Sequence, residues 1–211
     1  MTDPRANRRR RANGEESRRK ILDAAVEVAG ERGYDGTSIA LVSSKCGLPA
    51  SSIYWHFKDK DELIAAVIER SFRTWLNAVS LSDPESHPAR EQVVELAVSV
   101  AKALLEAPDF LRLGLMLALE RRPDEPSART VFLQVRDTTH RYVADIIHKM
   151  DENLDDEAIH LLTTYAIAAA DGLFIAKEIG GDSVDLIRLF DLHAHAVLAA
   201  AEQLGARLPR R

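Results

Sequence analysis

The chain of 211 residues is 46% hydrophobic, 29% charged and 6% aromatic, which is typical of a globular protein and argues against a disordered one. Its longest uninterrupted apolar run, Leu113 to Leu119, is shorter than the ~20 residues that cross a bilayer, and no apolar segment follows the N-terminal arginines as in a secretory signal. We therefore expect no membrane partner. Cys46 is the only cysteine, which excludes an intramolecular disulfide and predicts a cytoplasmic protein.

Charge is distributed unevenly along the chain, although the formal net charge is only −5. Residues 1–60 carry 12 Lys/Arg against 8 Asp/Glu, whereas residues 61–211 carry 16 against 25. A basic N-terminal part followed by an acidic remainder indicates a polyanion-binding end and a body that a polyanion would repel. A chance distribution with a solvated tail fits the same charges, so charge alone leaves both interpretations open.

The N-terminal part of the chain predicts a basic arm followed by a helix. Residues 1–14 are polar and include four consecutive arginines, Arg8 to Arg11, which predicts a flexible arm. Ser17 is the expected N-cap of the first helix, and apolar residues then recur at helical spacing from Ile21 onward. Gly33 is the expected stop, because glycine tolerates the left-handed backbone that ends many helices.

The next segment predicts two short helices joined by a tight turn, which is helix-turn-helix geometry. Thr37 or Ser38 should begin the second helix, and Gly47 should supply the left-handed turn. A very short third helix is expected from about Ala50. A long fourth helix should begin after Asp59, which takes part in a pattern that resembles a capping box.

The segment 33-GYDGTSIALVSSKCGLPASSIYWHFKDKDEL-63 closely resembles the N-terminal domain of the TetR family of bacterial transcriptional regulators. The family pattern joins a glycine–aromatic turn, a helix start with hydroxyl side chains, a second glycine turn, an aromatic element and a lysine-containing helix start. In this chain these elements are Gly33-Tyr34, Thr37-Ser38, Gly47-Leu48, Ile53-Tyr54-x-x-Phe57 and Lys60-x-x-Leu63. The resemblance covers about residues 17–70 and is specific, whereas the remaining two thirds shares only length and helix count with the family.

The whole chain shows helical periods and no strand-like alternation, so we predict an all-α protein of about nine helices. With the resemblance, we expect a flexible basic arm over residues 1–14 and a helix-turn-helix DNA-binding domain over residues 15–62. A larger helical ligand-binding and dimerisation domain should follow over residues 63–207. The polar segment 80-SLSDPESHP-88 predicts a linker or loop.

The resemblance implies DNA binding by several side chains of the matching segment, with a double-stranded operator as the partner. Ser38 should bind a phosphate together with the helix N-terminal amides. Ser52 and Tyr54 on the third helix should contact base edges or phosphates, and His56 should reach the DNA backbone. Lys60 should clamp another phosphate, whose charge would offset the unfavourable helix dipole at that position.

Two departures from the family pattern leave this recognition surface poor in long cations. Ala40 and Ala50 stand where many members carry Arg and Lys. Base recognition should then depend more on Ser51 and its neighbours, with apolar contact between Ala50 and thymine methyl groups. The missing charge should come from the arm, where Arg10 and Arg11 would enter an adjacent minor groove.

The resemblance also implies a homodimer and a small-molecule effector. A single recognition helix contacts few base pairs, so dimers on palindromic sites are the usual solution. The candidate interface consists of Ala169, Gly172, Leu173, Ala176, Leu189, His193, Val197, Ala200 and Leu204. The candidate pocket, which suits a hydrophobic or weakly polar effector, consists of Phe110, Leu113, Met116, Leu117, Phe132, Val135, Tyr142 and Phe174. Packing within one protomer is an alternative for both sets.

The sequence shows no sign of catalysis, of a cofactor or of a metal. It contains no nucleophile elbow, no phosphate-binding glycine loop and no His-Glu-x-x-His motif. His193 and His195 lie on opposite faces of a helix, and His140 and His148 are more than two turns apart. Neither pair has the i,i+4 spacing that places two ligands on one metal ion.

The sequence thus predicts a nucleoid-associated transcriptional regulator, namely a repressor that binds a palindromic operator as a dimer and is released by a small molecule. Two alternatives remain open. One is an all-α small-molecule-binding protein or enzyme with a degenerate helix-turn-helix, which the scarcity of cations favours. The other is a non-specific architectural DNA binder, against which the acidic body argues.

Overall fold

The structure is a computed structural model that describes residues 4–79, 89–119 and 126–207, with the side chains of residues 12–79, 90–119 and 126–207. Within these ranges the regular elements are all helices, which confirms the all-α prediction. They are α1 (Pro4–Gly36), α2 (Ile39–Cys46), α3 (Ala50–His56), α4 (Lys60–Ala78), α5 (Ala89–Glu106), α6 (Asp109–Leu119), α7 (Ser127–Met150), α8 (Asp156–Gly180) and α9 (Leu186–Gln203), with a short 3-10 helix at Gly181–Ser183. The linker predicted at residues 80–88 lies outside the described residues.

The chain divides into two compact units. The first unit comprises Met1–Arg73 and Pro108–Val135, and the second comprises Thr74–Ala107 and Arg136–Arg211. The predicted domain boundary after residue 62 differs from this division, since the first unit also takes in most of α4, all of α6 and the start of α7. Both units therefore contain part of α4 and part of α7.

The helix α1 begins at Pro4 and not at the predicted cap, Ser17. Ser17 lies inside the helix, where its Oγ donates to the backbone carbonyl of Asn13 at 2.9 Å. Residues 4–14, for which we predicted a flexible arm, therefore have a helical backbone, and the arginines and alanines of this stretch are good helix formers. The helix breaks at the predicted Gly33, whose φ of 68° and ψ of −174° form an extended conformation with positive φ that favours glycine.

The predicted helix-turn-helix is formed by α2, a turn at Gly47 and α3. The N-cap of α2 is Ser38, whose Oγ accepts from the backbone N–H of Leu41 at 3.3 Å. Gly47 has φ 69° and ψ 14°, a left-handed conformation that would strain most side-chain-bearing residues. Across the turn, Ser43 Oγ donates to the carbonyl of Leu48 at 2.6 Å, which ties the end of α2 to the segment that leads into α3.

The start of α4 shows the predicted capping pattern, with one of its two bonds displaced by a residue. The N–H of Glu62 donates to Asp59 Oδ1 at 2.9 Å. The Glu62 carboxylate accepts from the N–H of Lys58 at 2.7 Å, instead of from that of Asp59 as in a regular capping box. The fully buried face of α4 consists of Leu63, Ile64, Val67 and Ile68. Burial of side chains of this size contributes about 1.5–3 kcal/mol each, so this face anchors α4 in the first unit.

The second unit is organised around α9, which packs against α5 and α8. Carboxylates cap the long helices α8 and α9: Asp155 Oδ1 accepts from the N–H of Ala158 at 2.8 Å, and Asp185 Oδ1 accepts from the N–H of Arg188 at 3.1 Å. One core cluster consists of Ile147, Leu154, Ala158, Leu162, Val197, Leu198, Ala201 and Ala206. This cluster joins α7, α8 and α9, and it uses one face of each helix.

The segment Asp156–Ser183 is apolar and yet largely exposed. It is long and apolar enough to cross a membrane, but only 22% of its most apolar stretch is buried. A single helix of this kind is weak evidence for a membrane span. Its exposed apolar side chains include Leu161, Tyr165, Ile175 and Ile179, which are 56%, 46%, 39% and 83% exposed. Exposed apolar faces of this extent are typical of surfaces that bind another protein or a membrane.

Candidate nucleic-acid interface

The short helix α3 has two different faces. Ile53 and Phe57 are 0% and 2% exposed, so they form the inner face of the helix. Tyr54 and Trp55 are 56% and 69% exposed, and Ser51 is exposed as well. This face therefore offers two aromatic rings and a hydroxyl group to a partner.

The start of α2 also offers hydrogen-bond donors to solvent. Ser38 is exposed, and because its oxygen accepts from the N–H of Leu41, its hydroxyl proton remains for a further acceptor. The first amides of α2 carry the positive end of the helix dipole. Phosphate oxygens bind helix N-termini in this arrangement, so the geometry is compatible with the contact predicted for Ser38.

The side chain of Lys60 is held by the protein itself, which the sequence does not predict. Its Nζ donates to the backbone carbonyl of Tyr34 at 3.1 Å and lies 4.3 Å from the centroid of the Tyr34 ring. An ammonium group has three N–H donors. A phosphate contact by Lys60 would therefore be shared with Tyr34, which fixes the direction of the lysine side chain.

The imidazole of His56 is half-buried beside Trp55, and their rings meet edge to face with centroids 4.5 Å apart. Burial, followed by the positive charge of Arg18, lowers the pKa of His56 below its ordinary value of 6.5. Arg18 itself lies over the Phe57 ring, with the guanidinium carbon 5.3 Å from the centroid. In the protein without DNA, the surroundings of His56 therefore disfavour its charged form.

A cleft of about 370 Å³ lies between α1 and α3. Its lining residues are Asn13, Gly14, Ser17, Ser51, Ser52, Trp55 and His56. Gly14 lies against Trp55, since a Cβ built at Gly14 would be 3.5 Å from the indole ring. Asn13 is not among the predicted site residues because the polar composition of residues 1–14 predicts an arm, and Ser17 is not among them because it is the predicted cap of the first helix. Their four-residue spacing, which places them on one face of a helix, was the available signal.

The other predicted DNA-contacting residues lie at the first turn of α3 or on the extended α1. Ala50 and Ser52 are half-buried. Arg10 and Arg11 lie on the helical backbone of α1, and their side chains are outside the described residues. Lys45, in the last turn of α2, is paired with Glu27 at 2.6 Å. The exposed face of α3 therefore offers mainly hydroxyl, aromatic and imidazole groups.

Comparison with known proteins identifies the family of this helix-turn-helix. Residues 21–67 match the family model described as bacterial regulatory proteins, tetR family. The match includes all of α2 and α3 and the first turns of α4. The chain belongs to the TetR family. It is accordingly a DNA-binding transcriptional regulator.

Named relatives extend the similarity over most of the chain. The HTH-type transcriptional repressor AcnR of Corynebacterium diphtheriae is 24% identical over 195 residues, which cover 85% of this chain and 90% of AcnR. The tetracycline repressor protein class D of Escherichia coli is 30% identical over 125 residues, 57% of this chain and 52% of that repressor. The transcriptional regulator FadR from Bacillus subtilis in complex with stearoyl-CoA superposes with a TM-score of 0.70 at 18% identity, covering 86% of this chain and 97% of FadR. At that identity the likeness establishes the TetR-family fold.

The effector-pocket candidates of this TetR-family protein fall into both units. In the first unit Phe110, Leu113, Leu117, Phe132 and Val135 are buried. Phe132 lies so close to Gly114 that a Cβ there would be 2.0 Å from its ring, which is a packed core contact. Met116 is 44% exposed and reaches the break in α1 at Gly33. The two candidates in the second unit are Tyr142, which is exposed, and Phe174, which is buried.

The interface candidates of this TetR-family protein lie on α8 and α9 in the second unit. Gly172 and Leu204 are exposed, whereas the half-buried ones are Ala169, Leu173, Ala176, Leu189, His193 and Ala200. Val197 is 6% exposed and belongs to the core cluster, so it packs within its own protomer. Burial lowers the pKa of His193, although a hydrogen bond with the backbone of Ala166 opposes this. Much of the predicted α9 stripe therefore lies closer to the core of its own unit than to solvent.

Metal-ligating side chains do not cluster in the part of the chain that the structure describes. There, no group of three or more His, Cys, Asp or Glu side chains could hold a metal ion. His140 and His160 lie together, with ring centroids 5.2 Å apart. Cys46 is a half-buried free thiol whose Sγ lies 3.7 Å from the carbonyl of Ser43, in keeping with a packing role at a helix crossing.

Proposed function

We propose that this TetR-family regulator is a repressor that binds a palindromic operator as a homodimer and leaves it when a small molecule binds. The observation that carries the proposal is the division of α3 between two faces. Ile53 and Phe57 are buried, while Tyr54, Trp55 and Ser51 are exposed. A major groove admits a helix, and hydroxyl and aromatic side chains can contact the base edges and methyl groups there. The protein would act in the cytoplasm, at the nucleoid.

The proposed DNA contacts fall into two classes. The residues proposed to contact base edges or methyl groups are Ala50, Ser51, Ser52 and Tyr54. The residues proposed to contact phosphates are Ser38, His56, Lys60, Arg10 and Arg11. Since burial and Arg18 lower the pKa of His56 and Lys60 is shared with Tyr34, the arginines of α1 would supply most of the electrostatic attraction. Each phosphate contact steepens the salt dependence of binding by about 0.9 in log–log slope.

The proposed dimer interface is an exposed stripe on α8. Its residues, which we call the α8 stripe, are Leu161, Tyr165, Ala168, Gly172, Ile175 and Ile179. They recur every three or four positions, which is the spacing of a helix-packing seam. A Cβ at Gly172 would meet nothing within 4 Å, so a second helix can approach closely there. Two copies of the α8 stripe related by a twofold axis would form a self-complementary interface. Of the predicted interface residues, Gly172 lies within this stripe.

The proposed effector is a hydrophobic or weakly polar molecule. The FadR relative binds stearoyl-CoA in its structure, and the tetracycline repressor is named for its own small molecule. The pocket candidates in the first unit, among them Met116 and Phe132, are apolar or aromatic side chains that can adapt to such a ligand. Release requires that the effector bind more tightly to a conformation in which the two recognition helices no longer fit the operator.

Selection from random duplexes with the purified full-length protein tests the DNA-binding part of this proposal. We expect an enriched palindrome. No enrichment would favour the small-molecule-binding alternative, and equal affinity for all sequences would favour the architectural one. A gel-shift titration on the enriched duplex then tests the effector, with stearoyl-CoA and fatty acids of graded length as apolar probes and free CoA as the matched polar control. Failure of every apolar probe to release the DNA would contradict the proposed effector class.

A further inference from the structure

The first turn of α4 carries a carboxylate that accepts four hydrogen bonds. Asp61 Oδ2 accepts from the N–H of Ser127 at 2.6 Å and from the Ser127 hydroxyl, and Oδ1 accepts from the N–H of Ala128 at 3.1 Å. The hydroxyl of Tyr34 donates to the same Oδ1 at 3.2 Å. All of these groups belong to the first unit. Asp61 therefore joins the starts of α4 and α7 to the last residues of α1, which follow the break at Gly33.

Asp61 takes the place of an N-cap residue for α7. This helix begins at Ser127, and the first amides of a helix have no partner within the helix. A cap usually comes from the residue just before the helix, but here the amides of Ser127 and Ala128 donate to a carboxylate of α4. The negative charge also meets the positive end of the α7 dipole. Because Ala128 is 0% exposed, loss of the carboxylate would leave its amide without a partner away from water.

The carboxyl of Asp61 is ionised at neutral pH. Burial raises its pKa, but the hydrogen bonds from Ser127, Ala128 and Tyr34 lower the pKa by more, so the net value lies below the ordinary 3.8. A pKa that is lowered in the folded state stabilises the protein above the unfolded value and loses that contribution as the pH falls through the folded value. At neutral pH the four hydrogen bonds are therefore made to an ionised carboxylate.

Tyr34 extends the connection to the helix-turn-helix. Its hydroxyl donates to Asp61, while its carbonyl accepts from Lys60 Nζ and its ring lies against the same ammonium group. The carbonyl also accepts from the N–H of Thr37 at 3.2 Å, and Thr37 directly precedes Ser38, the N-cap of α2. The side chains of Asp61 and Lys60 thus fix the backbone that leads into α2.

We propose that Asp61 is a positioning residue through which the start of α7 controls DNA binding. The proposal rests on the proposed function and names the internal connection that regulates it. Displacement of the first turn of α7 removes the donors of Ser127 and Ala128 from Asp61. The carboxylate is then no longer held in the position at which it accepts from the Tyr34 hydroxyl. Tyr34 then no longer holds Lys60 and the entry to α2, where two of the phosphate contacts are proposed. Movement of α7 therefore weakens DNA binding without touching the DNA.

The test compares four full-length proteins. Asp61→Asn keeps the shape of the side chain and removes its charge, whereas Ser127→Ala removes a single donor. The matched control is Asp185→Asn, which alters the N-cap carboxylate of α9 in the second unit. The wild type and the three variants are compared by thermal melting, by amide hydrogen exchange without DNA, and by affinity for the selected duplex. Tyr34→Phe, which removes only the hydroxyl, replaces Asp61→Asn if that variant does not fold.

Hydrogen exchange tests the connection itself. In Asp61→Asn we expect exchange to accelerate about fivefold or more both at residues 127–130 and at residues 34–38, because both segments lose their shared partner. Asp185→Asn should accelerate exchange only at the start of α9. Wild-type exchange rates at residues 34–38 in Asp61→Asn would overturn the proposal.

DNA affinity tests the regulatory role. We expect Asp61→Asn to weaken binding about tenfold and Ser127→Ala about threefold, with Asp185→Asn within about twofold of wild type. In a fifth protein that combines the two changes, Ser127→Ala should weaken binding no further than Asp61→Asn alone, because the two residues act as one unit. If Asp61→Asn and Asp185→Asn lose the same DNA affinity, the loss reflects general destabilisation, and the proposal is overturned. If the wild type selects no duplex at all, the proposed function is contradicted, and this inference with it.

Discussion

The helices α3 and α8 both leave large apolar side chains in water, but their chemical surroundings differ. On α3 the exposed rings of Tyr54 and Trp55 lie next to the serine hydroxyls and the imidazole of the same short helix. On α8 the exposed side chains are mainly aliphatic, and they form a stripe from Leu161 to Ile179. Hydrogen-bonding neighbours suit a hydrated polyanion, whereas an aliphatic stripe suits another apolar surface. Exposure therefore indicates that a surface has a partner, and the neighbouring groups indicate which kind.

The largest effect is expected from a charge placed in the α8 stripe. Leu161 is 56% exposed, so Leu161→Glu should fold, but an uncompensated carboxylate in an apolar seam costs several kcal/mol. We expect the dimer dissociation constant to rise about 100-fold or more, with a parallel loss of operator binding. Sedimentation equilibrium measures the change in the dissociation constant. The control is Leu119→Glu, which alters a side chain of the first unit that is 76% exposed. If Leu161→Glu dimerises as tightly as the wild type, the α8 stripe is not the dimer interface.

A large loss of stability is expected when the inner face of α3 is truncated. Ile53 is 0% exposed, and Ile→Ala changes in packed cores cost about 2–5 kcal/mol. Urea denaturation of Ile53→Ala should show this loss as a lower midpoint at unchanged slope. A change below about 0.5 kcal/mol would mean that Ile53 does not anchor the helix.

The outer face of α3 should respond in the opposite way. Tyr54 is 56% exposed, so Tyr54→Ala should leave the melting temperature within a few degrees of wild type. Removal of a base contact should weaken binding to the selected duplex by about 1–3 kcal/mol, while affinity for random duplexes should change little. Competition gel shifts with selected and scrambled duplexes measure the difference. Equal losses on both duplexes would assign Tyr54 to the DNA backbone instead.

Deletion of residues 1–11 should act on all duplexes alike. The deletion removes Arg8 to Arg11 and with them the main cations proposed for the DNA backbone. We expect the log–log salt slope to flatten by about 0.9 for each phosphate that these arginines no longer neutralise, with the ratio between selected and scrambled duplexes preserved. A fall in that ratio would show that the extended start of α1 contributes to sequence recognition.

The smallest expected effect concerns the pH dependence of stability. Burial, and then Arg18, lower the pKa of His56 in the folded protein, so the unfolded chain binds the proton more readily. Stability should therefore decrease as the pH falls below about 6.5 and through the folded-state pKa. His56→Gln should make this part of the pH profile shallower in denaturant titrations at a series of pH values. An unchanged profile would assign the dependence to other histidines, such as His193.

Short-range rules are sufficient to predict the helix-turn-helix. The cap at Ser38, the left-handed turn at Gly47 and the inward placement of Ile53 and Phe57 depend on residues within about one helical turn. Steric and hydrogen-bonding rules act at that distance, so the sequence alone is informative there. Family resemblance adds which of the exposed residues would meet DNA.

Contacts between distant segments were not predictable in the same way. Ser127 and Ala128 are 66 and 67 residues from Asp61, and no local pattern marks a carboxylate that caps a remote helix. The start of α1 at Pro4 differs from the prediction because a solvated helix and a flexible arm can have the same polar composition. On α9, one residue corresponds to about 100° of rotation, so periodicity alone could not place Val197 in the core.

The stoichiometry of binding on the selected palindrome tests most directly whether two copies of α3 recognise DNA together. Sedimentation velocity of the full-length protein should give two protomers on the palindrome, with half-sites one helical turn or a multiple of about 34–36 Å apart. Affinity for a single half-site should be much lower, and Tyr54→Ala should reduce the preference for the palindrome over a scrambled duplex. One protomer per duplex, or equal affinity of the wild type for palindrome and scrambled DNA, would contradict the proposed mode of recognition.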